Sequence, residues 1–321
     1  MNYPIQIIKL IKSFIVFRPG VVISILEWDN FLNILTSKLY HHSVILSVHS
    51  MPSHHCSGKY NQRIIPKITY CIAKKYHIPI VAVSQGVKDE LISLFKLDDN
   101  QVSVIYNPID INLISRLSEE PVEPWVFLTD IPTLITVGGL KNVKAQWHIL
   151  RVFSELRKRI RCRLIICGDG NLRTFLERMS YEYSVANDVL FIGWQDNPYK
   201  YMSKSTVFVS SSLSESFGNV IVEAMACGCP PIVSNCSPAM EEILGSDSLC
   251  GIIVSKMSGI KHSPSTPLDE TEFSLYEGIY NILMNPTMRE TMANECKNRA
   301  KYFSLDSSIR DYEEFISRVM N

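Results

Sequence analysis

The 321-residue sequence lacks several things, and each lack excludes something. It has no excess of charge, since 32 Lys and Arg stand against 32 Asp and Glu. A chain coated with basic residues for nucleic acid is therefore not indicated. It has no run of about 18 apolar residues, so nothing reads as a membrane-spanning helix. Nine cysteines include no Cys-x-x-Cys pair, which argues against a zinc ribbon or a redox dithiol. No repeat of about 20–50 residues is visible, which excludes solenoids and propellers. Met1 to Ile25 is apolar, but Lys9, Lys12 and Arg18 interrupt it and no small-residue cleavage site follows. The expectation is a cytoplasmic chain with reduced thiols. Glycine is scarce at the start, with Gly20 and Gly58 alone in the first 85 residues. What remains, 46% apolar and 20% charged residues, is globular composition.

The zero net charge hides an asymmetry. Residues 1–80 carry nine basic side chains against two acidic ones, Glu27 and Asp29, and six of the eight histidines. Such a face suits an anionic surface or is simply solvated, and both readings stay open. The run VVISIL (21–26) predicts a parallel strand buried on both faces. Further strands are expected at 43–50 and 80–84, and helices at 4–17, 29–40, 59–75 and 86–95. Pro66 should kink or break the third of these helices. Prolines 108, 121, 124 and 132 mark residues 111–132 as a linker. The alternation then restarts, with strands at 133–138, 163–167, 189–193, 206–210, 231–234 and 251–254. Helices separate them, a polar loop covers 255–268, and three helical segments close the chain. Strand–helix alternation of this kind means open parallel sheets, an α/β fold.

The sharpest stretch is SSSLSESFGNVIVEAMACGCPPIVS, residues 210–234. A strand should end at Ser210, a loop should carry Glu215, and a helix should start near Gly218–Asn219. Glu223 then sits about one turn inside that helix. Gly218 allows close backbone approach to a ligand. A helix N-terminus offers free N–H groups to phosphate. Two carboxylates, one on the loop and one on the helix, can accept hydrogen bonds from sugar hydroxyls. The plain alternative is two surface glutamates.

With Glu215 and Glu223 at this spacing, the segment resembles the E-x7-E motif of retaining glycosyltransferases of the GT-B fold, in particular glycosyltransferase family 4 (group 1). Other segments resemble the family in the right order. In ITVGGLKNVKAQ (135–146), Lys144 falls on the diphosphate-binding lysine. Gly139 stands where the family has an arginine, and Lys141 is the nearby cation. IICGDGN (165–171), with Gly168 and Gly170, resembles the turn beside the nucleotide. FIGWQDNP (191–198), with Trp194, resembles the loop that holds the base edge. His49, in ILSVHS, resembles the histidine that faces the donor sugar. AVSQGVKDEL (82–91), VIYNPID (104–110) and RAKYFSLDSSIRDYEEFI (299–316) complete a likeness that is strongest over 133–245.

The resemblance implies two Rossmann-like domains facing a cleft. Residues 1–110 form an incomplete acceptor-side domain and 111–132 the linker. Residues 133–303 form the nucleotide-sugar domain, and helix 304–321 returns to the first. It implies Glu215, Lys144 and His49 as the catalytic set. Donor binding falls to Gly138, Gly139, Gly168, Gly170, Trp194, Ser216, Phe217, Gly218, Asn219 and Glu223. The implied reaction moves a hexose or N-acetylhexosamine, with retention, from a UDP-sugar to a lipid-linked oligosaccharide or polysaccharide acceptor. The setting would be cell-envelope polysaccharide assembly, with the basic N-terminal region on the inner membrane surface. No cofactor, no metal and no nucleic acid are expected: D-x-D is absent, and the adjacent pairs His41–His42 and His54–His55 point apart in a strand. The family's opening strand and Gly-rich loop are not evident. Three readings of that departure stay open: a longer natural chain, an inactive remnant, or a non-catalytic subunit completed by a second glycosyltransferase chain. A nucleotide-sugar epimerase of the same fold is the rival enzyme, but its acid/base set is not evident.

Overall fold

A computed structural model describes residues 12–53, 60–123, 131–245 and 249–320. They divide into two compact units, residues 1–107 with 308–321, and residues 108–307. His54, His55, Cys56, Gly58, Lys59 and the first part of the expected helix 4–17 lie outside the described residues.

The first unit is a parallel sheet ordered β1-β2-β3-β4 (Val21–Ile25, Ser43–Val48, Ile80–Ala82, Val102–Val104). Residues 12–17 are helical, and its further helices include α1 (Glu27–Tyr40), α2 (Tyr60–Lys75) and α3 (Gln85–Phe95). Ile45, Val81 and Ile105 form a core with Phe315 from the C-terminal segment. A buried polar network pins α1 to the sheet. Asn33 Nδ2 donates to Val22 O at 2.9 Å and to Ser24 Oγ at 3.0 Å, and Ser24 Oγ donates to Asn30 Oδ1 at 2.7 Å. Glu27 accepts from the Tyr70 hydroxyl at 2.9 Å, while its Oε2 is buried without a partner among the described residues. Burial pushes this carboxyl up to about 6, against the lowering effect of the Tyr70 bond.

One expectation fails here, and another in its stronger form. Val21–Ile25 is a strand but is not buried on both faces. Among the described residues it occupies the sheet edge, and Ile23 and Ile25 are exposed. Pro66 does not break α2, which runs through it. Burial of Thr69, Tyr70 and Ala73 one to two turns on outweighs one lost ladder bond.

The second unit opens with α4 (Ile111–Ser118), followed by β5 (Thr133–Val137), α5 (Gln146–Arg157) and β6 (Arg163–Cys167). Next come α6 (Arg173–Glu182), β7 (Val189–Gly193), α7 (Tyr199–Met202), β8 (Val207–Ser210) and α8 (Asn219–Ala226). It closes with β9 (Pro231–Ser234), α9 (Ala239–Leu244), β10 (Ile252–Val254), α10 (Glu270–Met284) and α11 (Pro286–Ala300). The parallel sheet is ordered β10-β9-β8-β5-β6-β7, a doubly wound order that reverses between β5 and β8. The buried strands read as unbroken apolar runs, such as Leu164–Cys167, because helices cover both faces.

Residues 111–118, inside the expected linker and domain entry 111–132, form α4. Asp110 caps it by accepting from Leu113 N at 2.9 Å, and Ile114 is buried. The C-terminal helix α12 (Leu305–Met320) begins in the second unit and ends in the first.

The polar loop 255–268 is held by a buried ionic cluster. Arg151 Nε donates to Glu272 Oε1 at 2.7 Å, and His148 Nδ1 lies 2.8 Å from the same oxygen. His148 Nε2 accepts from Gly259 N at 3.1 Å, which leaves the ring proton on Nδ1, facing Glu272. The other Arg151 nitrogens donate to Tyr183 Oη and to the carbonyls of Ser263, Thr266 and Pro267, at 2.7–3.0 Å. Glu272 also completes a capping box for α10, accepting from Asp269 N at 3.1 Å. Burial works against the Glu272 carboxylate, but the bonds from His148 and Arg151 outweigh it and hold its pKa below the ordinary range.

Candidate active site

The order reversal between β5 and β8 opens a crevice at their carboxyl ends, where α/β sheets place ligands. One residue from each side meets there. β5 leads through Gly138 and Gly139 to a 3₁₀ turn, Asn142–Lys144, while β8 leads to the loop bearing Glu215. Lys144 Nζ donates to Glu215 Oε1 at 2.5 Å, and Ser212 Oγ donates to the same oxygen at 2.7 Å. Both members of the pair are largely buried.

The backbone around them is tied down. Leu213 N donates to Val143 O at 2.8 Å, and Ser211 Oγ bonds the carbonyls of Lys144 (3.0 Å) and Ala145 (2.9 Å). Ala145 holds a left-handed backbone, φ 47°, between the turn and α5. A side chain there is disfavoured unless its surroundings over-determine it, as these bonds do.

The glycines mark a crossing of two loops. Gly138 N donates to Cys167 O, and Leu140 N to Asp169 O, both at 2.9 Å. A Cβ on Gly168 would collide with Gly138 O, and one on Gly170 would lie 2.5 Å from Leu140 O. The loops after β5 and β6 therefore touch backbone to backbone. At Gly139 the aliphatic carbons of Lys141 come within 3.5–3.8 Å of where a side chain would start. The Lys141 chain thus covers the space beside residue 139.

Gly218, with φ 110°, precedes α8. Ser216, Phe217 and Asn219 lie at this turn, and Phe217 is buried edge-on against Phe303, ring centres 5.5 Å apart. The side chain of Glu223, one turn into α8, makes no hydrogen bond or ion pair among the described residues, and burial raises its pKa. Trp194 follows β7 and is 74% exposed, its indole N–H donating to Asp196 at 3.2 Å.

His49 belongs to the first unit, just beyond β2, with Nε2 2.9 Å from Ser47 Oγ. Burial lowers its pKa, while a bond with Asn107 works the other way. Among the described residues no group of three or more His, Cys, Asp or Glu could hold a metal ion, and no helix is long and apolar enough to cross a membrane.

Sequence reasoning passed over Ser211 and Ser212, which fasten the two site segments. Their signal is the serine run directly after a buried strand. It also passed over Cys236, just beyond β9. Burial and the nearby Glu215 push this thiol up to about 12, with Lys144 and Lys256 pulling the other way. No sequence signal marks that position.

Two parallel-sheet α/β units, with a cation and carboxylates at the switch point of the second, match the GT-B class of protein. The comparisons narrow this further. The family model described as Glycosyl transferases group 1 matches residues 117–258, and the one described as Glycosyltransferase Family 4 matches residues 2–113. An uncharacterized glycosyltransferase of Methanocaldococcus jannaschii, MJ1059, is 28% identical over 97% of this chain and 82% of its own length. The N-acetylgalactosamine-N,N'-diacetylbacillosaminyl-diphospho-undecaprenol 4-alpha-N-acetylgalactosaminyltransferase of Campylobacter jejuni is 27% identical over 74% of this chain. The match takes in 59% of that relative's length. Anabaena HepE (Alr3699), solved with UDP, superposes with a TM-score of 0.79 at 18% identity, covering 93% of this chain and 79% of HepE. The chain belongs to the group 1 glycosyltransferases, family 4, and is a glycosyltransferase of the GT-B fold.

Proposed function

We propose that the chain transfers a hexose or N-acetylhexosamine, with retention, from a UDP-sugar to a lipid-linked oligosaccharide or other glycan acceptor. The observation that carries this reading is the Lys144–Glu215 pair at the carboxyl ends of β5 and β8, with Glu223 unpartnered one helical turn behind. Support for the donor comes from UDP in the HepE structure, and for the acceptor from the undecaprenol-linked glycan in the Campylobacter relative's name.

In this reading Lys144 and the N-terminus of α8 stabilise the negative charge on the departing diphosphate. Glu223 accepts from the ribose hydroxyls. Glu215 accepts from donor-sugar hydroxyls and orients the ring without attacking it. The acceptor oxygen bonds to the anomeric carbon on the face that the diphosphate leaves, the C–O bond to phosphate breaks, and a phosphate oxygen takes the acceptor's proton. Neither a cofactor nor a metal ion enters these steps. His49 of the first unit contributes to the same reaction by the family resemblance. The exposed face of α2, with Ile64, Lys67, Ile68, Lys74 and Lys75, suits an anionic lipid surface.

The test is UDP release from a panel of UDP-sugars, with a membrane extract supplying acceptors. Donor-specific release that Glu215→Ala and Lys144→Ala abolish supports the reading. A second reading, a subunit that works only with a partner chain, is favoured by the open β1 edge with its exposed Ile23 and Ile25. No release from folded protein, with a second glycosyltransferase co-purifying, decides for it.

A further inference from the structure

We propose that the second unit carries a separate oligosaccharide-binding groove, formed by α10, the far end of α5 and the Pro264–Leu268 segment. The cavity there is about 910 Å³, inside the roughly 300–1,000 Å³ of small-molecule sites. It shares no residue with the candidate active site. Glu155 lies nine residues along α5 from Gln146, about 14 Å at the helical rise.

One wall is a row of aromatic rings on a single face of α10. Phe273, Tyr276 and Tyr280 are spaced three and four residues apart. Neighbouring ring centres lie 6.0 and 5.9 Å apart, with planes inclined by 14° and 19°. The two tyrosines pack partly on the core, but Phe273 is 51% exposed and adds little there. Pyranose rings offer apolar C–H faces that settle on such surfaces, and the tyrosine hydroxyls add polar ends.

The charges on the lining point to an uncharged ligand. Lys158 and Arg159 are matched by Glu155 and Glu277, and Lys158 is paired with Glu155 at 2.6 Å. A nucleotide or an acidic peptide would find no net positive field. A glycan would find carboxylates, cations and the Asn281 amide to meet its hydroxyls.

The opposite wall is built rigidly. Pro264 and Pro267 stiffen it, and fully buried Arg151 holds the carbonyls of Ser263, Thr266 and Pro267. Buried ion pairs seldom add stability over an apolar core. What this one secures is the shape of a loop on the groove, and it touches neither Lys144 nor Glu215.

The experiment is saturation-transfer NMR and calorimetric titration of the whole chain with maltotetraose and N-acetylchitotetraose, without any donor. Binding by at least one of them is expected. Phe273→Ala should weaken it about fivefold to tenfold, while Tyr181→Ala, an exposed aromatic outside the groove, leaves it unchanged. Saturating UDP should not displace the oligosaccharide. Absence of binding at millimolar concentration overturns the proposal. So does binding that UDP competes away, or that Phe273→Ala leaves intact. Because no transfer is measured, failure here is separate from failure of the transferase reading.

Discussion

Replacing Arg151 by Met tests the account of the second unit most severely. The side chain is 1% exposed and holds Glu272, the Tyr183 hydroxyl and three loop carbonyls. Removal leaves the Glu272 carboxylate buried with His148 as its remaining side-chain partner. Breaking one side of a buried ion pair costs about 3–5 kcal/mol. Unfolding entropy near Tm is about 2.1 cal/mol/K per residue. Over the 200 residues of this unit, 108–307, that is about 0.42 kcal/mol/K, so Tm should fall by about 7–12 °C. Scanning calorimetry is the assay, because it separates the transitions of two units. Adding Glu272→Leu to Arg151→Met should restore a large part of the loss, since the uncompensated charge is then gone. A shift under about 2 °C for the single variant, or a double variant worse than the sum of its parts, would refute the reasoning. The wild-type cluster should also be acid-labile. Because the Glu272 and Asp269 carboxyls are held below the ordinary carboxylate range, their contribution is present above that range. It is lost as pH falls through their depressed values.

The other predictions concern the site and the first unit. Lys144→Ala and Glu215→Gln should each lower UDP release about 100-fold or more, read by coupled UDP detection on protein shown by calorimetry to be folded. Gly168→Ala should weaken UDP binding and lower Tm together, because a Cβ there meets the Gly138 carbonyl; equal UDP affinity by titration would show that the loops part freely. UDP affinity should fall, relative to Glu223→Gln, as pH drops through the raised Glu223 pKa, since a protonated carboxyl accepts hydroxyls poorly. Glu27, with its carboxyl at about 6, disfavours the fold at higher pH. Glu27→Gln should therefore stabilise the first unit by about 2 kcal/mol at pH 8 and have no such effect at pH 4, followed by urea unfolding.

Much of the fold was legible because the second unit buries its strands on both faces. Leu164–Cys167 and Val207–Val209 could only read as unbroken apolar runs. The same inference misled at Val21–Ile25, where composition matches a central strand but position is at the edge. A strand's own residues do not say how many neighbours it has. Pro66 and α4 escaped for a related reason. Each depends on what a segment packs against, which local propensity does not encode. The acidic site residues stood out through spacing, whereas Arg151, Glu272 and His148 are far apart in the chain and meet only in the folded unit. The serine run after β8 marks Ser212, but only the fold turns its hydroxyl onto Glu215.

The short contact between Lys144 and Glu215 has a kinetic meaning. In the proposed reaction a diphosphate must share the lysine with a carboxylate that already holds it. That competition weakens the hold on the incoming donor and on the spent nucleotide alike. A lysine without such a rival would grip UDP more tightly and let it go more slowly. In that reaction the pair would act against product inhibition, trading affinity in the resting protein for faster clearance after each transfer.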